Sequence, residues 1–292
     1  MDECLKWFDL TNLIMKKSLL TWVLPFLTAC GIILIIRSYF IQVINVDNNE
    51  MNNTLLKGDK VVLLRTKQFD RNTIVSLNDQ GFDNIKRLIA KPMDTIFVKA
   101  SYLYVNRVKV SSNNSFSFVY SFSTDSISKA SKILKENKLE FNPILATIGI
   151  FQFNASIDDL KKVQSDSFHF KLKRLIDNPS TSISREVIFH PSFYWNKDHF
   201  GPFIVPGKGV KVRINKKMFY IYKQVIEQES GKKLEFRSNL AYLANSPLKT
   251  YTFKKNYYFL LNDNWNHAND SRTKGFVDEE KLIGKYWFKL PW

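Results

Sequence analysis

The chain has 292 residues, 43 Lys and Arg against 27 Asp and Glu for a net charge of +16, and 45% hydrophobic residues. That is enough apolar material for one large domain or two modest ones, which excludes a mainly disordered chain. Ten Gly, nine Pro and two Cys exclude a collagen-like repeat, a low-complexity chain and a disulfide-rich scaffold. The positive balance leaves nucleic acid, anionic membrane and acidic partners open.

The first element is the uncharged run 18–36 (SLLTWVLPFLTACGIILII), whose length in a helix at about 1.5 Å per residue nearly crosses a hydrocarbon core of roughly 30 Å. Residues 1–17 carry Lys6, Lys16 and Lys17 against Asp2, Glu3 and Asp9 and sum to zero, so the whole +16 lies beyond Ile36. Lys16 and Lys17 abut the span, and the following domain is too long for its charge to orient it. The reading is a cytoplasmic tail (1–17), a transmembrane helix (18–36) and an exported remainder, a topology that disfavours nucleic acid as a partner. A cleaved leader is disfavoured because Ile32–Ile36 keep the run apolar past any small-residue site. Leu27-Thr28-Ala29-Cys30 resembles a lipoprotein box, but the apolar GIILII would then begin the mature chain. Cys4 and Cys30 fall inside and within the span, so no disulfide is expected.

Beyond the span the pattern turns strand-like. The runs 39–46, 60–65, 72–77, 84–90, 95–100 and 102–105 are rich in β-branched and aromatic residues with turn residues between them. Residues 111–185 differ: a Ser/Asn-rich lead, a strand at 116–122, a helix at 126–137 capped by Asp125 or Ser126, a strand at 148–153, a capped helix at 156–164 and an alternating run at 167–172. This order predicts a small α+β subdomain inserted in a β fold. Strand signals return from Val187, with a helix at 217–230. The four His (His169, His190, His199, His267) show no paired ligand spacing, and CxxC and glycine-rich phosphate motifs are absent. No metal or cofactor is expected.

Three segments are distinctive: 46–56 (VDNNEMNNTLL), 84–94 (NIKRLIAKPMD) and 261–275 (LNDNWNHANDSRTKG). There the chain resembles type I signal peptidase, the membrane-anchored endopeptidase that removes signal peptides with a Ser nucleophile and a Lys general base. The family's Pro-Ser-x-Ser-Met-x-x-Thr-Leu motif aligns with 47–55 at Met51, Thr54 and Leu55, followed by Gly58-Asp59. Its base motif matches Lys86, Arg87 and Asp94. Its last motif matches Asp263, Asn264, Asp270, Ser271, Arg272 and Gly275. Phe200-Gly201-Pro202 and the run 251–260 look like Bacteroidetes-type members with an inserted subdomain.

The resemblance implies a mainly β signal-peptidase-like fold (37–110 and 186–292) behind the helix, with the α+β insert at 111–185, in a bacterial inner membrane with the main domain periplasmic. It also implies Lys86 as the retained base position, with Met51, Arg87, Asp263, Asp270 and Arg272 supporting the site. The departures fall on the chemistry. Glu50 stands at the nucleophile position, Asn48 at the oxyanion position, Ala268 where a Ser would hold the Lys, and Trp265 and Asn262 where the family has Arg and Gly. A Ser-Lys mechanism needs a neutral amine, obtained by desolvation with no anion beside it. A carboxylate at position 50 would remove nucleophile and base together, and loss of a nucleophile typically removes about 10⁶-fold of catalysis.

The expectation is an inactive, membrane-anchored homologue that binds a signal peptide or exported protein, or scaffolds other envelope or secretion proteins. Two alternatives stay open. One is a cleaving enzyme in which Glu50 activates water. The other is a basic surface binder acting through Lys161, Lys162, Lys171, Lys173, Arg174, Lys208, Lys211, Arg213, Lys216 and Lys217. Ser271 is a conceivable substitute nucleophile, although in the family it belongs to the scaffold.

Overall fold

The computed structural model describes residues 2–79, 81–110, 115–165, 171–178 and 188–291. The stretch 111–114, most of the alternating run 167–172, His169 and Val187 lie outside these residues. Helix α1 (Asp2–Tyr39) runs unbroken through Pro25 and through the residues read as tail and span alike. Its apolar part, Thr21–Tyr39, makes no buried contact with the rest of the chain; Trp22, Phe26, Ile33 and Leu34 are all more than half exposed. Nineteen residues in a helix reach about 28 Å, close to a bilayer core. Such a helix, apolar on every face and covered by no protein, suggests membrane anchoring.

The chain then forms β1 (Ile41–Asn45), β2 (Lys60–Arg65), β3 (Ile74–Asp79), β4 (Phe82–Ala90), β5 (Thr95–Lys99), β6 (Tyr102–Val105) and β7 (Val108–Lys109). The stretch 118–174 contributes β8 (Phe118–Ser123), α2 (Ile127–Glu136), α3 (Pro143–Ala146), β9 (Ile150–Ala155), α4 (Ile157–Ser165) and β10 (Lys173–Arg174). After it come β11 (His199–Ile204), β12 (Lys211–Arg213), α5 (Lys216–Ser230), β13 (Leu234–Arg237), β14 (Leu240–Leu243), β15 (Ser246–Leu248), β16 (Thr250–Thr252), β17 (Tyr257–Leu261), α6 (Ser271–Lys274), β18 (Val277–Asp278) and β19 (Leu282–Lys289). The fold is mainly β, as a signal-peptidase-like architecture requires.

The central sheet runs β1-β2-β19-β3-β4-β17-β18, every pairing antiparallel. Its middle strands are covered on both faces. Ile44, Met51, Leu55, Leu63, Ile74 and Ile85 pack on one side; Phe69, Val75, Leu77, Leu88, Leu260 and Leu282 pack on the other. β8, β9 and β10 form a separate three-stranded sheet in the order β10-β8-β9, but its side chains share a core with the rest of the chain. Phe116, Phe118, Phe151 and Ile133 belong to one apolar cluster with Phe203, Tyr222, Phe259 and Trp265.

Two helix starts differ in how they are capped. α4 opens with a reciprocal box, since Ser156 N–H bonds to the Asp159 carboxylate at 3.0 Å and Asp159 N–H to Ser156 Oγ at 3.1 Å. At α2, Ser126 occupies the cap position but its side chain caps nothing. Thr124 Oγ1 instead accepts the Ser126 N–H at 3.1 Å, so the side-chain cap expected from Asp125 or Ser126 is replaced by a turn one step earlier.

Candidate active site

The loop after β1 is closed on itself. Val46 N–H bonds to Asp59 O at 2.8 Å and Gly58 N–H returns to Val46 O at 2.7 Å, while Met51 and Leu55, each 1% exposed, pin the loop to the sheet. Glu50 precedes Met51 and is carried inward with it, to 8% exposure. Its main chain is held as well: Glu50 N–H bonds to Asn48 Oδ1 at 3.0 Å and Glu50 O accepts from Asn264 N–H at 2.9 Å.

Lys86 lies at the middle of β4, opposite Val75 of β3, with 4% exposure. Lys86 Nζ donates to Glu50 Oε2 at 2.6 Å and to Asn262 Oδ1 at 2.8 Å. The other carboxylate oxygen, Glu50 Oε1, accepts from Asn269 Nδ2 at 2.7 Å, and Asn48 Nδ2 reaches Oε2 at 3.3 Å. The structure therefore brings Glu50, Lys86 and Asn48 together around one carboxylate. Charged groups this buried are found paired and hydrogen-bonded because leaving either alone costs several kcal/mol, by order of magnitude.

The neighbouring residue on β4, Arg87, holds Asp263 bidentately at 2.6 Å from both Nε and Nη2. Thr54 Oγ1 donates to the same carboxylate, which ties the Glu50 loop to the end of β17. Asp270 and Arg272 pair at 2.6 Å with both side chains fully buried. Arg272 also donates to the carbonyls of Trp265 and His267 at 2.8 and 3.0 Å, and Asp270 accepts Asn262 N–H at 3.0 Å. This pair shapes the segment between β17 and α6. Ser271 Oγ accepts Leu260 N–H at 3.0 Å and is buried, a scaffold contact rather than a poised nucleophile. Ala268, 1% exposed, offers Lys86 no hydroxyl, and Asn262 supplies the polar contact instead.

Trp265 looks the other way. Its ring meets Phe116 edge-on with centroids 5.3 Å apart, and Nε1 donates to Asp198 at 2.8 Å. Ser117 N–H bonds to Asp263 O at 2.9 Å and Trp265 N–H to Ser117 O at 3.1 Å. The chain just before β8 is thus stitched to the segment carrying Asn262 and Asn264. Asp94, the last residue of the β4 motif, sits apart from Lys86. It takes Arg71 Nε at 2.7 Å, Lys91 N–H at 2.8 Å and Asn106 Nδ2 at 2.8 Å. Burial alone would raise its carboxyl, but those donors together hold it below the ordinary carboxylate value.

A groove of about 450 Å³ lies between β1 and β4, lined by Val46, Asn48, Met51, Asp83 and Ile85 among others. β1 is a terminal strand of the sheet, and the stretch of β4 before Arg87 pairs with β3 but not with β17. Both walls therefore present strand edges that an extended peptide could join. On the α1 side, Gln42 Nε2 donates to Asp83 Oδ2 at 2.6 Å and links the walls.

Asn269 was missed by sequence reasoning. It lies 219 residues from Glu50 along the chain, and no local pattern marks it. Asn262 was visible only as a departure from a Gly.

A buried strand Lys facing a short loop at the edge of a β scaffold, behind an apolar helix, is the framework of a membrane-associated Ser-Lys peptidase. The chain matches the family described as signal peptidase, peptidase S26, over residues 19–154 and 204–292 and belongs to that family. It is 35% identical to signal peptidase I S of Bacillus subtilis (strain 168) over 103 residues, 34% of this chain and 56% of that protein. With signal peptidase I of Bacillus licheniformis the identity is 32% over 102 residues, 33% and 55% of the two chains. With signal peptidase I of Buchnera aphidicola subsp. Baizongia pistaciae (strain Bp) it is 24% over 278 residues, 88% and 72% of the two chains. The match spans little more than half the length of the Bacillus relatives.

Proposed function

We propose that this chain is a signal peptidase I homologue that has lost peptide-bond cleavage and keeps the peptide groove, acting as a membrane-anchored binding or scaffolding component in protein export or an envelope complex. The observation that carries the reading is the 2.6 Å contact between Lys86 Nζ and Glu50 Oε2. An ammonium engaged by a carboxylate and by Asn262 has no lone pair with which to take a proton from a nucleophile, and no hydroxyl stands at position 50 to lose one. Glu50 itself is a weak candidate base for water. Its two oxygens accept from Lys86, Asn48 and Asn269, and the carboxylates of Asp263 and Asp270 are engaged by Arg87 and Arg272.

In this reading Lys86 keeps the base position, Glu50 and Asn48 fill the nucleophile and oxyanion positions, and Ala268 marks the lost partner of Lys86. The helix anchors the chain in the bacterial inner membrane with its N-terminus cytoplasmic and the β domain periplasmic. The ligand is an extended segment of a signal peptide or exported protein, bound along the free edges of β1 and β4.

The test is to incubate the full chain in lipid nanodiscs with a precursor carrying a signal peptide. No cleavage is expected, with retention of the precursor. Turnover abolished by Glu50→Ala would overturn the proposal. The converse experiment converts Glu50, Asn48 and Ala268 to Ser and Asn262 to Gly, and cleavage is expected to return.

A further inference from the structure

The groove between β1 and β4 is acidic, against the +16 of the whole chain. Strand alternation puts Gln42 with Ile44 on one face of β1, and Asp83 with Ile85 on one face of β4. Ile44 and Ile85 are buried in one cluster and form an apolar floor with Met51. Asp83 stands at the α1 end of this floor, and Asp47 lines the groove where β1 runs into the Glu50 loop. Both are exposed, and among the described residues no Lys or Arg lines the groove. Asp83 is held by two amides, Gln42 Nε2 at 2.6 Å and Asn78 Nδ2 at 3.1 Å. Among the described residues neither Asp47 nor Asp83 makes an ion pair. Nearby acids do: Asp79, in the same hairpin, has Lys274 and Lys281 at 3.3 and 3.4 Å, and Glu50 has Lys86. Gln42 Oε1, the other end of the amide that bonds Asp83, is buried and receives no donor among the described residues.

We propose that the groove selects an extended segment with Lys or Arg at alternate positions around an apolar residue. This rests on the reading of the groove as a peptide site and names what the peptide carries. A segment joined to a strand edge turns every second side chain toward the floor, at a spacing of about 7 Å. The middle one meets Ile44, Met51 and Ile85, and its neighbours on that face meet the two carboxylates. An ammonium or guanidinium beside Asp83 supplies the cation it lacks, and its several N–H groups also serve Gln42 Oε1. A peptide carboxylate there meets an uncompensated like charge, and a small neutral side chain leaves Asp83 with its amides alone. Screening at physiological salt acts over about 8 Å, so the charges lining the groove count for more than those spread over the domain. The chain as a whole attracts an acidic peptide and the groove a basic one, and the sign of the preference reports which surface holds the peptide.

The experiment uses the full chain in nanodiscs of neutral lipid and fluorescence anisotropy with three labelled peptides. They share a central Leu and differ only at the residues two positions to either side of it, which are Lys, Ala or Glu. The Lys peptide binds about fivefold more tightly than the Ala peptide, and the Glu peptide more weakly than either. Asp47→Asn with Asp83→Asn keeps the side-chain shapes and brings the Lys peptide level with the Ala peptide, whose affinity does not change. Asp83→Lys moves the preference to the Glu peptide. Equal binding of the three peptides, or a Lys preference that survives the paired Asn variant, overturns the inference and leaves the groove a peptide site. Failure of all three to bind removes that reading and the inference with it. Mass spectrometry of the recovered peptides reports cleavage separately, so turnover is not mistaken for lost binding. Equal retention by protein-free nanodiscs also overturns the inference and assigns the peptide to the lipid.

Discussion

Replacing Lys86 by Met removes the cation from a site where the Glu50 side chain is only 10% exposed. Unit charges separated by the observed 2.6 Å attract by roughly 6 kcal/mol at an effective dielectric of about 20, before the cost of desolvating both. The measurable quantity is the penalty of stranding the carboxylate, on the order of 3 to 5 kcal/mol for a buried pair. Asn269 and Asn48 still donate to Glu50 in the variant, which places the expected loss at the lower end, about 3 kcal/mol. For a domain of this size that corresponds to a fall in Tm of roughly 6 to 12 °C. Glu50→Gln with Lys86→Met strands no charge and is expected to be more stable than Lys86→Met alone, with a coupling of about 2 kcal/mol across the cycle. Thermal unfolding of the full chain in nanodiscs, followed by calorimetry, reads all four proteins. A Lys86→Met variant that melts with the wild type, or a double variant costing the sum of the singles, would refute a tight pair and with it the argument for lost cleavage.

Asp270→Asn leaves Arg272 buried without its carboxylate and is expected to lower stability by about 3 to 5 kcal/mol, measured in the same scans. Gly284 lies in β19 between β2 and β3, and a Cβ there would stand 2.4 Å from Leu64 O. Gly284→Ala should therefore cost about 1 to 3 kcal/mol, seen as a lower Tm and faster proteolysis of the sheet. The Asp94 carboxyl is depressed in the fold, so its stabilisation is present above its unfolded value near pH 4 and lost as pH falls through the folded value. The Tm gap between wild type and Asp94→Asn is expected to be widest above about pH 4 and to shrink below it; a gap that grows on acidification would reverse the sign.

The strands could be read from the sequence because their signal is local. Runs such as KVVLLR and NIKRLIA carry their own β pattern, and they form β2 and most of β4. Glu50 and Lys86 were legible through motif register, since Met51, Thr54 and Leu55 fix the alignment of a loop that otherwise reads as polar and solvated. The contacts that complete the site were not legible. Asn269 to Glu50 and Trp265 to Asp198 span 219 and 67 residues, and only the closed sheet brings them together. Helices α2 and α4 could be recognised by their pattern, but not the core that their stretch shares with the rest, because the aromatic residues that join it to Trp265 follow no period along the chain. α3 escaped for a different reason: four residues are too few for a helical repeat.

The passage from α1 into β1 has a further consequence. Phe40 N–H bonds to Ile36 O at 2.9 Å and Arg65 N–H to Phe40 O at 2.9 Å, so no slack chain separates the apolar helix from the sheet. β1 has five residues, about 17 Å of strand, between that helix and the loop that carries Glu50. A helix fixed in a bilayer would act as a ruler and hold the groove at one height above the lipid. Partners tethered in the same membrane would then meet the groove by lateral search at high effective concentration, while freely diffusing chains would rarely present a segment at that level. Modest intrinsic affinity would suffice under such confinement, so selectivity would come from where a segment emerges as much as from what it contains.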